Sequence, residues 1–144
     1  MRNLRPWPLP NHGGFLNIIQ RLPLLRGERQ TPQQIVCRLA VDDIRLDIEK
    51  VVPCGLLITE LLSNAYKHAF ADGRAGQIVI SMKQVADLVD LEVVDNGLGL
   101  PAGFDYRQAR TLGLQLIMAL VNQLNGVFEL QSDNGVRFSL RFAP

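Results

Sequence analysis

The sequence feature that most constrains the fold is the order of strand-like and helix-like hydrophobic patterns between residues 35 and 142. Apolar and polar residues alternate in paired stretches, and only two stretches have helical spacing. Paired alternating stretches are typical of antiparallel strands joined by short turns. A doubly wound parallel fold needs strict alternation of strands and helices, which this order lacks. The sequence therefore predicts an α/β (α+β) fold, a two-layer sandwich with helices on one face of a mixed sheet.

The elements are predicted from periodicity and turn residues. Residues 35–41 alternate, and Ile44, Leu46 and Ile48 alternate again after Asp42-Asp43, which predicts two strands and a tight turn. Helical spacing over residues 51–70 predicts a helix, with Pro53 near its start. The remaining predicted elements are strands 77–85 and 88–94, a loop 95–110, a helix 112–124 ended by Asn125-Gly126, and a hairpin of 127–131 with 136–142 around Asp133-Asn134-Gly135.

Residues 1–30 differ from the rest of the chain. Three prolines and Gly13-Gly14 disfavour regular structure, and Pro23 interrupts an apolar run from 15 to 25. We interpret residues 1–30 as an irregular arm, either a native element or the remnant of a truncated helical region. Residues 31–144 are long enough for one domain with its own core.

Bulk properties exclude several classes of partner. The net charge of +1 provides no general field for nucleic acid or an anionic membrane. No apolar stretch approaches the ~20 residues that span a bilayer, and no signal peptide is evident, so we expect a cytoplasmic location. Cys37 and Cys54 lack metal-binding spacing and are interpreted as structural side chains.

The first predicted helix has two faces. Its apolar face consists of Ile58, Leu61, Leu62, Ala65 and Ala69, and its polar face of Glu60, Asn64, Lys67 and His68. A solvated surface is one interpretation of the polar face. Against it, Asn is a poor helix former, whereas its amide oxygen is a good ligand for Mg²⁺. Glu60 could accept a proton, and Lys67 and His68 could neutralise phosphate oxygens.

Two glycine-bearing segments complete the predicted site. Asp95 ends a strand and precedes Gly97 and Gly99, so its carboxylate could accept a hydrogen bond from an adenine amine while the backbone approaches the base. A plain turn is the alternative. Thr111 is a candidate N-cap for a helix that opens with Gly113, where free N–H groups favour phosphate. The glycine patterns of Rossmann and P-loop proteins are absent.

The segments 60–70, 95–99 and 112–114, taken in this order, resemble the N, G1 and G2 boxes of the gyrase, Hsp90, histidine kinase and MutL ATPase superfamily. The amino-acid sequences of segments 52–60 and 112–117 are similar to those of one branch of this superfamily, the second HisKA type and HWE-like sensor histidine kinases. The resemblance covers about residues 35–142. It implies the Bergerat ATP-binding fold, with ATP and Mg²⁺ as ligands.

The resemblance also implies roles for individual residues. Glu60 would act in catalysis, Asn64 would hold Mg²⁺, and Asp95 would receive the adenine amino group. The loop up to Arg110 would be the ATP lid. The implied catalytic set is Glu60, Lys67 and His68, and the implied nucleotide-binding set is Asn64, Asp95, Gly97, Gly99, Arg110, Leu112, Gly113 and Leu114.

The sequence departs from the family pattern in two places. Gly135-Val136 stands where the family usually has Gly-Thr before the last strand, which puts one polar contact near the nucleotide in doubt. The helical hairpin with the phosphoacceptor histidine is missing. His12 lies among prolines and glycines and is a poor candidate for that acceptor.

The resemblance predicts the catalytic domain of a two-component sensor histidine kinase. It would transfer the γ-phosphoryl of ATP to a histidine on a separate hairpin, in cis in a longer protein or in trans, with a response regulator downstream. The isolated domain would show little autophosphorylation. The alternative is a stand-alone module of the anti-sigma-factor serine kinase type, which binds a partner protein.

Overall fold

The computed structural model describes residues 35–108 and 111–144, which form one sheet and one helical layer. The strands are β1 (Ile35–Val41), β2 (Gly76–Val85), β3 (Leu88–Asp95), β4 (Val127–Ser132) and β5 (Val136–Phe142). The helices are α1 (Ile48–Asn64), which continues into a π-helical turn (Ala65–Ala69), a short 3-10 turn (Tyr106–Gln108) and α2 (Leu112–Gln123).

The five strands are arranged in the order β1-β2-β3-β5-β4. β1 pairs with β2 in parallel, with Ile35 opposite Gly76, and the other neighbours are antiparallel. The sheet is therefore mixed, and the predicted α+β class with helices against a mixed sheet is confirmed.

The core lies between the sheet and the two long helices. Every second residue of the central strands faces this layer, for example Ile78 and Ile80 of β2 and Leu91 of β3, all fully buried. From α1, Ile58 and Leu62 are also fully buried, as the predicted apolar face requires. Complete burial of one such side chain stabilises the fold by roughly 1.5–3 kcal/mol. This packing fixes the rotation of α1 and so determines where its polar side chains point.

The predicted second strand after Asp42-Asp43 is wrong. Ile44 and Leu46 are buried, as their alternation indicated, but they lie in an extended connection outside the sheet, and Ile48 begins α1. A parallel β1–β2 pair needs a crossover connection, and this segment starts it by passing from the sheet to the helical layer. Alternating burial therefore reported which side chains face the core, without implying strand pairing.

The predicted start of the first helix is also wrong by several residues. α1 begins at Ile48, so Pro53 lies inside it, buried, rather than near its first turn. Proline lacks the N–H that would bond to the carbonyl four residues earlier, and this chain tolerates the loss in the second turn of a well-packed helix. The rest of the pattern is confirmed, since helical structure continues to Ala69.

Turn residues occupy the positions that the sequence predicted. Asn125, two residues after the end of α2, has a φ of 51°, and Asn134 and Gly135 have φ of 52° and 123° in the β4–β5 turn. These left-handed conformations suit Asn and Gly, which explains why α2 stops and the chain reverses there. No helix within residues 35–108 and 111–144 is long and apolar enough to cross a membrane.

Candidate functional site

A cavity of about 950 Å³ opens between α1, α2, the loop after β3 and the inner face of β3, β4 and β5. This volume is within the range of sites for small molecules. The cavity is lined by most of the residues that the sequence singled out, namely Glu60, Asn64, Lys67, His68, Asp95, Gly99, Leu112, Gly113 and Leu114. The fold thus brings three separate segments of the sequence to one site.

The polar face of α1 meets the first turn of α2. Glu60 and Asn64 are half-buried there, one helical turn apart. A Cβ atom added to Gly113 would lie 3.6 Å from Asn64 Oδ1 and 3.6 Å from Glu60 Oε2. An amide oxygen and a carboxylate oxygen therefore face the same short stretch of α2 backbone.

Lys67 and His68 lie on the π-helical turn that follows α1, and both are exposed at the rim of the cavity. π-helical turns are wider than α-helical ones and occur frequently at functional sites. The turn keeps Ala65 and Ala69 buried while both basic side chains remain accessible from the cavity. The sequence predicted the polar face correctly and gave no sign of the change in helix type.

The N-terminus of α2 opens into the same cavity. Thr111 is the N-cap, as predicted, and its Oγ1 accepts a hydrogen bond from the Leu114 N–H at 3.4 Å. The first intrahelical bond runs from the Gln115 N–H to the Thr111 carbonyl at 3.1 Å. The N–H groups of Leu112 and Gly113 precede that bond, so they can donate to a ligand at the positive end of the helix dipole.

Asp95 is the one buried charged residue in the part of the chain that the structure describes. Its Oδ1 accepts hydrogen bonds from the Gly97 N–H at 2.9 Å and the Val136 N–H at 3.3 Å. Both of these bonds end on Oδ1, which leaves Oδ2 to accept a hydrogen bond from a ligand. Burial raises the pKa of this carboxyl, and the two N–H groups oppose that rise.

The two glycines after Asp95 have different roles. Gly97 is buried against the backbone of Ala69 and does not line the cavity, and a Cβ at this position would overlap the Ala69 carbonyl. The neighbouring Leu98 N–H donates to the same carbonyl at 2.8 Å. Gly99 lines the cavity with a φ of +78°, a conformation that favours glycine. The loop is thereby held against the end of α1.

Three aromatic side chains in contact with one another also line the cavity. The rings of Phe128 and Phe138 stack with centroids 5.7 Å apart, and Tyr106 approaches Phe128 edge-on at 4.9 Å. All three side chains line the cavity. The sequence pattern predicts the hairpin correctly but gives no indication of its contribution to the site. The alternation of Phe128 and Leu130 in β4 was the available signal.

Several predicted features lie apart from this cavity or outside the described residues. Arg110, His12 and the arm 1–30 belong to the latter group, so their predicted roles remain predictions. Cys37 and Cys54 are free thiols away from the cavity, and burial raises their pKa to about 11 and about 12. Thiols with such pKa values are poor nucleophiles, in agreement with a structural role.

The oxygen donors of the site suit a cation that prefers oxygen ligands and is bound partly by the protein and partly by a second ligand. Residues 35–108 and 111–144 contain no group of three or more His, Cys, Asp or Glu side chains that could enclose a metal ion. Glu60 and Asn64 offer two oxygen atoms near the N-terminus of α2. Mg²⁺ is commonly bound by one or two protein oxygens together with water and phosphate oxygens. The residues present therefore fit Mg²⁺ bound together with a phosphate ligand.

Comparison with known families gives a match over most of the domain. Residues 50–144 match the model of the histidine kinase-, DNA gyrase B-, and HSP90-like ATPases. All three predicted boxes fall inside this range.

Curated relatives are sensor kinases. The sensor histidine kinase PdtaS of Mycobacterium tuberculosis is 40% identical over 83 residues, which is 56% of this chain and 17% of the relative. Blue-light-activated histidine kinase 2 of Erythrobacter litoralis is 30% identical over 91 residues, 62% of this chain and 26% of the relative. The matched segments thus span about a quarter or less of these longer proteins.

Solved structures share the fold at lower sequence identity. The histidine kinase domain of the Erythrobacter litoralis blue-light-activated kinase superposes with a TM-score of 0.77 at 23% identity, covering 90% of this chain and 58% of the other. Acinetobacter baumannii histidine kinase AdeS gives 0.70 at 18% identity, with coverage of 90% and 62%. The catalytic domain of histidine kinase ThkA gives 0.69 at 17% identity, and 90% and 89% are covered.

Proposed function

The chain belongs to the histidine kinase-, DNA gyrase B- and HSP90-like ATPase family, and we propose that it is the ATP-binding catalytic domain of a two-component sensor histidine kinase. The observation that carries the proposal is the division of one cavity into two ends. A buried carboxylate, Asp95, lies at one end. At the other end Glu60 and Asn64 meet the N-terminus of α2.

The Asp95 end suits the base of ATP. The exocyclic amine of adenine is a hydrogen-bond donor, and Oδ2 of Asp95 is a charged acceptor in a buried place. Guanine carries a carbonyl oxygen at the corresponding position, and a carboxylate repels it. Aromatic and aliphatic side chains nearby, among them Phe138 and Ile117, provide apolar surface for a flat ring.

The α2 end suits the phosphates. The N–H groups of Leu112 and Gly113 and the positive end of the helix dipole favour an anion. Lys67 and His68 line the same cavity and follow Asn64 by about one helical turn, so they could approach phosphate oxygens. Mg²⁺ held by Asn64, with Glu60 nearby, would neutralise charge on the transferred phosphoryl group.

The reaction breaks the bond between the γ-phosphorus and the oxygen that bridges it to ADP, and forms a bond to an imidazole nitrogen of the acceptor histidine. ADP leaves with the bridging oxygen. We propose that the Glu60 carboxylate, which lines the cavity, accepts the proton that the acceptor imidazole loses. His68 is part of the cavity rim, which favours an acceptor from outside these residues.

The proposed branch is the second HisKA type and HWE-like group. The match to the blue-light-activated kinase of Erythrobacter litoralis is compatible with this branch. We also propose a response regulator as the downstream partner and a cytoplasmic location, because both are typical of two-component kinases. No nucleic-acid or membrane partner is proposed, since the net charge is only +1.

Transfer in trans tests the proposal. The chain is incubated with γ-labelled ATP and Mg²⁺, alone and with the purified histidine hairpin of a PdtaS-type relative. We expect little label on the chain alone, and base-stable, acid-labile label on the hairpin. Glu60→Ala should reduce this transfer more than it reduces ATP binding. Label on a serine of a partner protein would contradict the histidine kinase proposal and favour the anti-sigma-factor type.

A further inference from the structure

Ser132, the last residue of β4, contacts the loop after β3 although no motif includes it. Its Oγ accepts a hydrogen bond from the Leu100 N–H at 2.8 Å. A Cβ atom added to Gly99 would lie 2.7 Å from the same oxygen. The hydroxyl therefore fits directly against the backbone of two residues, Gly99 and Leu100, that line the cavity.

The loop is fixed on both sides of Gly99. On one side, the Leu98 N–H donates to the Ala69 carbonyl at the end of the π-helical turn. On the other side, the Leu100 N–H donates to Ser132. Gly99 adopts its φ of +78° between these two attachments. Loss of the Ser132 attachment would free the half of the loop that passes over the cavity.

The same end of the hairpin also holds Asp95. Ser132 is the cross-strand partner of Val136, and the Val136 N–H donates to Asp95 Oδ1. Val136 has no hydroxyl, so the side-chain hydroxyl at this strand pair comes from Ser132. One pair of residues thus contacts both the carboxylate and the loop that follows it.

We propose that Ser132 is a positioning residue for recognition of the base. It holds the Gly99–Leu100 backbone in the position that lets the adenine ring bind beside Asp95. The inference rests on the nucleotide-binding function proposed above. Ser132 acts through the loop backbone and is not a catalytic residue. Because Ser132 is exposed in the structure, its substitution should leave the folded core intact.

The test compares Ser132→Ala with Ser132→Thr, which keeps the hydroxyl, and with Ser139→Ala as the matched control. Ser139 lies on β5 opposite Glu129 and Glu92, away from the cavity lining. Calorimetry measures the affinity for ATP and for GTP, and amide hydrogen exchange measures protection at Leu98 and Leu100. Thermal melting of each variant reports on the fold.

Loss of one neutral hydrogen bond predicts that Ser132→Ala weakens ATP binding by about 3- to 10-fold. GTP binding should change less, so discrimination between the bases falls. Exchange at Leu100 should accelerate while Leu98 stays protected, and Ser132→Thr and Ser139→Ala should behave like the parent.

Two results would overturn the inference. They are ATP affinity of Ser132→Ala within twofold of the parent, or equal losses for ATP and GTP. Failure of the parent chain to bind ATP would instead refute the proposed function, and the exchange rate at Leu100 would still report whether Ser132 holds the loop.

Discussion

The two ends of the cavity are built in different ways. At the Asp95 end, the carboxylate is buried and backbone N–H groups from Gly97 and Val136 already bind it. At the α2 end, Lys67 and His68 are exposed, and the first N–H groups of the helix precede its first intrahelical bond. At the Asp95 end the carboxylate is already hydrogen-bonded by the protein, whereas at the α2 end N–H groups and basic side chains can still bind a ligand.

Under the proposed function, the Asp95 end would determine the specificity for the base and the α2 end would neutralise the phosphate charge. A buried carboxylate held by the backbone selects a ligand by hydrogen-bond geometry, because its position is fixed before binding. Exposed basic groups and helix N–H groups attract an anion with little geometric demand. We therefore expect substitutions at the Asp95 end to change which nucleotide binds, and those at the α2 end to change how its phosphates and Mg²⁺ are held.

The largest effect is expected from Gly97→Ala. A Cβ at this position overlaps the Ala69 carbonyl, so the loop and the π-helical turn must separate. Overpacking of this kind should lower the free energy of unfolding by about 1–3 kcal/mol, and ATP binding should weaken strongly because the loop shifts and Asp95 loses one of its two N–H partners. Chemical denaturation and calorimetry measure the two effects.

Gly55→Ala is the matched control for that substitution. Gly55 lies within α1, and nothing lies within 4 Å of an added Cβ. The free energy of unfolding should rise by up to about 1 kcal/mol, since alanine is the better helix former. Equal stability of the Gly97→Ala variant and the parent would show that the loop is not packed as the comparison requires.

Asp95→Asn should separate binding from stability. The amide oxygen can still accept both backbone hydrogen bonds, but the charged acceptor for the adenine amine is lost. A charged hydrogen bond contributes about 1.5–3 kcal/mol, so the Kd for ATP should rise by roughly 10- to 100-fold. Calorimetry decides the point, and an unchanged Kd would remove Asp95 from base recognition.

The pH dependence of the stability of Asp95→Asn tests whether the Asp95 carboxyl is buried. Burial raises the pKa of Asp95 above its ordinary 3.8, so the folded state favours the protonated form. The resulting stabilisation is present below pH 3.8 and is lost as the pH rises through the raised folded pKa. The melting temperature of Asp95→Asn should therefore increase relative to that of the parent as the pH rises through this window. A constant difference would show that burial of this carboxylate costs nothing.

Asn64→Ala tests the α2 end and should have the smallest effect of the three site substitutions. Loss of one oxygen ligand should weaken ATP binding in Mg²⁺ by about fivefold, which corresponds to about 1 kcal/mol. Binding in the presence of a chelator should change by less than about twofold. Equal losses under the two conditions would assign Asn64 a structural role.

Much of the site could be predicted because its chemistry is concentrated in short segments. Helical periodicity placed Glu60 and Asn64 on one face, and turn chemistry placed Asp95 before a glycine loop. Their meeting depends on α1 and α2 packing side by side on the sheet. The sequence revealed that packing through resemblance to a known family.

The features that the sequence did not predict depend on tertiary structure. Ile44 and Leu46 alternate because both are buried in the core, and only the structure shows that this segment is a connection to α1 and pairs with no strand. Phe128 lines the cavity and Ser132 contacts the loop after β3, because β5 pairs with β3 and β4 pairs with β5. The alternation of Phe128 and Leu130 indicates only that they share one face of β4, and no local pattern around Ser132 specifies its contact with the loop.

Calorimetric titration of the full chain with ATP and with GTP, both in Mg²⁺, tests the proposed recognition of adenine by Asp95 most directly. We expect one ATP bound per chain and GTP binding that is weaker by roughly 10-fold or more, because the buried carboxylate would accept a hydrogen bond from the adenine amine and repel the guanine carbonyl. Absence of ATP binding, or equal affinity for the two nucleotides, would contradict it.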